Sequence, residues 1–160
     1  MIPVEIVPTR QYSEAELRQD FEELKSKIDL SKAYSELSYD DENIEEHMKN
    51  QAGLYFYYSL LRNQARALYE RADILLDNLR ADRDLVVRRY MAEKGLKITD
   101  SSVKVTIERN ESVRNLNFLK LEISEVAAML ETIVRALEHK KDMLTQISAN
   151  HRRMVESNFI

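Results

Sequence analysis

The chain of 160 residues is 32% charged but has only two glycines, two prolines and no cysteine. That balance favours long uninterrupted helices over a mixed globule, and it excludes disulfides, thiolate metal ligands and a cysteine nucleophile. The net charge of -4 hides an asymmetry, with 6 basic and 13 acidic residues over 1–60 against 10 and 6 over 80–120. An acidic first third and a basic middle point to separate surfaces with separate partners, one of them a polyanion, unless both are ordinary solvated helix surface.

Residues 1–12 are expected as an extended arm, because Val4, Glu5 and Ile6 alternate between Pro3 and Pro8 and a proline-flanked segment cannot be a central strand. This start lacks the basic segment and long apolar core of a secretory signal, and no apolar run reaches the ~20 residues of a membrane span. A cytoplasmic protein without membrane contact is the expectation. Short N-terminal helices follow over 13–38. The spacing Ser13-x-x-Glu16 predicts a capping box, with Tyr12 and Leu17 at the staple positions, for a helix to about Lys27. Asp29 then caps Leu30–Leu37.

From Asp41 to Lys94 there is no proline and only Gly53 as a weak point, while Asp41, Glu42, Glu45 and Glu46 suit the positive end of a helix dipole. The spacing predicts one helix of ~80 Å. Leu54, Tyr58, Leu61, Ala65, Leu68, Ala72, Leu75 and Leu79 alternate steps of four and three, a heptad seam that Val86 rejoins after a polar Asp82. Gly95 is placed to end this helix. Thr99 caps a short helix over Asp100–Glu108, with Ile98 and Val103 as staple residues. Asn110 caps a last helix over Glu111–Glu156, whose stripe runs Leu116, Leu119, Ile123, Val126, Leu130, Ile133, Leu137, Lys140, Leu144, Ile147, His151 and Met154.

Two heptad-patterned helices joined by a connection of about fifteen residues fold back on each other. The expected fold class is therefore all-α, with a long antiparallel, coiled-coil-like hairpin over 41–156 whose tip spans 95–110. Pairing about that tip places Ala72 near residue 132 and Leu79 near Glu125. One seam leaves apolar surface over, notably Tyr55, Phe56, Tyr57, Tyr58, Met129, Ile133 and Val134. The N-terminal helices cover part of it, and a homo-oligomer interface is expected to cover the rest. Core burial is the alternative for the tyrosines and for His151. Asp82 and Lys140 interrupt the seams, either fixing register or, for Lys140, snorkelling to water.

Catalytic patterns are missing. No Glu-x-x-His pair occurs, and His47 and His139 directly follow Glu46 and Glu138, a spacing at which helix side chains diverge. Two isolated glycines make no phosphate loop, and nothing arranges a serine against a histidine and an acid. Neither enzyme activity, metal nor cofactor is expected.

The remaining constellation is basic: Arg80, Arg83, Arg88, Arg89, Lys94, Lys97, Lys104, Arg109 and Arg114 gather around the tip with Tyr90 among them. Such cations neutralise phosphates, and an aromatic offers a stacking face to a single strand. Interleaved Asp82, Asp84 and Glu93 supply the competing account, intrahelical pairs such as Asp84 with Arg88.

Leu54-Tyr55 early in a long helix, Leu85-Val-Val-Arg-Arg-Tyr90, Lys97-Ile-Thr99 and Arg135-Ala-Leu137 in the last helix give residues from Asn50 onward a pattern that resembles the UvsY family of phage recombination mediators. The resemblance implies a ring-like homo-oligomer in the host cytoplasm that binds single-stranded DNA, helps displace a single-strand binding protein and loads a RecA-type recombinase. It implies DNA contact at Arg80, Arg83, Arg88 and Arg89. The second reading is a coiled-coil structural or adaptor protein, a virion component or scaffold, with protein partners.

Overall fold

A computed structural model describes residues 12–38 and 44–157, so the expected arm over 1–12 lies outside the described residues apart from Tyr12. Among the described residues there are five helices and no strand: α1 (Glu14–Ser26), α2 (Leu30–Leu37), α3 (Ile44–Glu93), α4 (Asp100–Glu108) and α5 (Glu111–Ser157). No described helix is long and apolar enough to cross a membrane.

The helix ends follow local chemistry. Glu16 N–H donates to Ser13 Oγ at 3.2 Å while Ser13 N–H donates to Glu16 Oε2 at 2.8 Å, the reciprocal box that starts α1. Asp29 Oδ1 accepts from Lys32 N–H at 2.9 Å to start α2. Thr99 and Ser102 form the box of α4, and Asn110 Oδ1 accepts from Ser112 N–H at 3.1 Å to start α5. Gly95 closes α3 with φ 64. There Leu96 N–H donates to Met91 O at 2.9 Å and Gly95 N–H to Ala92 O at 3.1 Å, a Schellman motif that glycine enters without steric cost.

The chain clusters into two compact units, one built from residues 12–22 and 68–122 and the other from 23–38, 44–67 and 123–157. In the first unit α3 packs antiparallel to α4 and α5 over a core that includes Leu68, Ala72, Leu76, Val103, Ile107, Val113, Leu116 and Leu119. Leu17 and Phe21 of α1 are buried with them, and Arg71 binds α1 through Asp20 at 3.4 Å while lying 4.9 Å from the Tyr12 ring. Lys120 of α5 bridges to Asp73 of α3 and sits 4.9 Å from the Tyr69 ring.

That bridge corrects the expected register. The reversal centres on Gly95 rather than midway through 95–110, because α4 already belongs to the return leg: Asp100 meets Arg88 and Glu108 meets Arg80. Asp73 therefore faces Lys120, where the expected pairing puts Ala72 near residue 132. The α3 seam also departs from the heptad. It buries Tyr58, Leu61, Ala65, Leu68 and Ala72 as expected, then Leu76 rather than Leu75, which is half-buried. Two successive steps of four track the ~3.6-residue period of a straight helix. Asp82 consequently lies on the surface and does not interrupt a seam, and Val86, off the shifted seam, is 57% exposed.

In the second unit α3 again runs antiparallel to α5, with Gln51 Nε2 donating to Leu137 O at 2.5 Å and Arg66 bound to Glu131 at 2.8 Å. Leu24 of α1 and Ala33 of α2 are buried here, and Tyr57 Oη donates to Lys27 O at 2.9 Å. Of the residues expected at an oligomer interface, Tyr58, Ile133 and Val134 are interior to this unit. Their apolar surface is consumed within the chain, which is why spacing alone overstated what a partner would cover. Met129 is half-buried, Tyr55 Oη binds Glu138 at 3.0 Å, and Phe56 alone of the set points fully outward at 70% exposure.

Lys140 does not snorkel. It is 4% exposed and its Nζ donates to the α2 C-terminal carbonyls of Glu36 and, at 3.0 Å, Ser38, with His47 Nδ1 at 3.3 Å. A cation at a helix C-terminus satisfies carbonyls that lack helical partners. Burial pulls its ammonium below the ordinary lysine range. His151, expected on the seam, is exposed.

Candidate nucleic-acid interface

The basic constellation is assembled inside the first unit from the end of α3, the Gly95 turn and α4. Its members divide by what they touch. Arg80 is held by Glu108 at 3.0 Å and Asp77 at 3.8 Å. Arg88 is held by Asp84 at 2.7 Å and Asp100 at 2.8 Å, and those hydrogen bonds, Asp84 first, raise its already high pKa so that it stays charged at every accessible pH. These two arginines tie α4 to α3 and line a groove of about 580 Å³ together with Asp84, Asp100, Lys104 and Glu108.

The other cations are uncommitted. Arg83, Arg89, Lys94, Lys97, Lys104, Arg109 and Arg114 make no ion pair among the described residues, and all but the half-buried Arg83 are exposed. Over 80–114 the unpaired acids are only Asp82, Glu93 and Glu111, so the unpaired charge is positive, seven cations against three anions. A diffuse positive field of this kind attracts a polyanion without sequence preference.

Tyr90 lies among them at 56% exposure. Arg83, Val86, Tyr90 and Lys94 step by three, four and four, and so share one face of α3. Val86, Tyr90 and Lys94 of that face are exposed, which leaves the ring open to water. Leu85 at 69% and Leu96 at 53% add apolar surface nearby in sequence. A phenol ring with one face in water and lysine or arginine on either side along the helix can stack on a base while the cations hold flanking phosphates.

All eight expected nucleic-acid residues thus fall in one unit, but not as one equivalent set. Arg80, Arg88 and Lys104 share the groove with α4; Arg83, Tyr90 and Lys94 share the outer face; Arg89 and Lys97 stand exposed beside them. Sequence spacing identified the Asp84–Arg88 pair but missed Asp100 and Glu108, whose meeting with α3 depends on where the chain reverses. Among the described residues no group of three or more histidines and carboxylates is placed to hold a metal ion.

No protein-family model, curated protein or solved structure matches the chain.

Proposed function

We propose that the protein is a non-enzymatic single-stranded DNA binding protein, acting as an oligomeric recombination mediator that passes the strand to a RecA-type recombinase and competes with a single-strand binding protein. The observation that carries the DNA-binding part is the exposed Tyr90 ring flanked by cations with no internal partner. The mediator part rests on the family resemblance of residues from Asn50 onward. Oligomerisation draws support from outward apolar residues, Phe56 at 70% and Leu60 at 45% exposure in the second unit. Several weak tips on one assembly bind a long strand by avidity.

Stacking gives the sharper test. In an anisotropy titration with labelled oligothymidine near 50 mM salt, Tyr90→Ala weakens binding by about tenfold and Tyr90→Phe retains it, since a base stack contributes ~1–3 kcal/mol. No affinity for the oligonucleotide under these conditions sinks the reading. The same outward apolar residues favour a second reading, a coiled-coil adaptor with a protein partner, which predicts a defined assembly indifferent to nucleic acid.

A further inference from the structure

Resting on the proposed DNA-binding reading, we infer that Arg88 is a self-masked phosphate contact: Asp84 and Asp100 occupy it in the free protein, and a nucleic-acid backbone displaces Asp100 and takes its place. The geometry carries this in three steps. Arg88 uses Nε on Asp84 and Nη2 on Asp100, so two edges of its fork are engaged by carboxylate oxygens, the groups that a phosphodiester most closely mimics. The two carboxylates differ in how firmly they are held. Asp84 lies four residues before Arg88 on the same helix, a fixed neighbour, whereas Asp100 comes from α4 with its side chain 93% exposed. An ion pair that open to water is screened and readily exchanged.

The second step is that Asp100 can leave without unfolding α4. Thr99 with Ser102 caps that helix, Val103 and Ile107 are buried at 1% and 7% exposure, and Glu108 remains on Arg80 at 3.0 Å. The third step is selectivity. An isolated phosphate must outcompete Asp100 for a guanidinium whose other edge Asp84 already holds. A strand already held by Arg89, Lys94, Lys97 and Lys104 presents its next phosphate at high effective concentration. The mask therefore makes the tip respond to a continuous backbone rather than to free phosphate or a mononucleotide.

A double-mutant cycle tests the displacement, read as oligothymidine affinity with a strand of roughly 30 nucleotides, long enough for more than one site. Asp100→Asn is expected to tighten binding by about threefold when Arg88 is present and to have no effect in an Arg88→Ala background. Asp82→Asn makes the same change in net charge at a carboxylate that touches no arginine, so its effect should be equal in the two backgrounds. Arg88→Ala alone should reduce the slope of log K against log salt by about 0.7, one phosphate contact on a single strand. If Asp100→Asn loses helicity by circular dichroism, Asp100→Ala, which removes the same carboxylate with a stronger helix former, replaces it with the same expectation. Equal gains from Asp100→Asn with and without Arg88, in a protein that does bind DNA, overturn the masking and leave the binding reading intact. Absence of binding by the unaltered protein overturns both.

Discussion

Lys140 in the second unit and Arg88 in the first are both cations gripped by several acceptors, yet the two sites are opposites. Lys140 is 4% exposed and its acceptors are backbone carbonyls of α2 together with an imidazole nitrogen. Arg88 is 41% exposed in its side chain and its acceptors are carboxylates, one of them almost fully in water. The ammonium itself is buried and its acceptors are carbonyls fixed in the main chain at the α2 C-terminus, so the lysine is part of the fold. Exposed carboxylates exchange freely with water and salt, so the arginine can change partners. The acceptors around a cation, more than its charge, separate the structural site from the proposed binding surface.

The largest effect that could break this contrast is at Lys140. Replacing it with Ala leaves the Glu36 and Ser38 carbonyls without their donor and is expected to cost about 3 kcal/mol in urea unfolding. Arg88→Ala, by contrast, should leave the unfolding midpoint near that of the unaltered chain. A comparable loss from both, or from neither, removes the distinction.

A smaller effect is expected at the buried aromatic of the second unit. Burial, and then Tyr57, Glu36 and Asp29, raise the pKa of Tyr58 above the ordinary tyrosine value. The folded chain thus keeps a phenolic proton that the unfolded chain releases above about pH 10, and Tyr58's contribution to stability is lost as pH rises through that range. Denaturation midpoints measured from pH 9 upward should fall more steeply for the unaltered protein than for Tyr58→Phe; parallel curves would contradict the assignment.

Much of the fold is legible because its signals are local. The boxes at Ser13 and Thr99, the caps at Asp29 and Asn110, and Gly95 each act within four residues, and each begins or ends a helix where the sequence places it. What escapes the sequence depends on contacts between distant segments. The reversal at Gly95 is set by α4 packing on α3, the switch from Leu75 to Leu76 by accumulated phase along a straight helix, and the role of Lys140 by carbonyls 104 and 102 residues away. At the tip the composition was readable and the pairing half so. Asp84 with Arg88 follows from spacing, whereas Asp100 reaches Arg88 only after the chain turns back.

The central claim is that the unpaired cations of the tip hold a nucleic-acid backbone, and the salt dependence of oligothymidine binding tests it most directly. With Arg89, Lys94 and Lys97 all changed to Ala and the unfolding midpoint unchanged, the slope of log K against log salt should fall by about 2, three phosphate contacts at ~0.7 each. A slope unaffected by the triple substitution, in a chain that still binds the strand, would place the contact elsewhere and contradict the account.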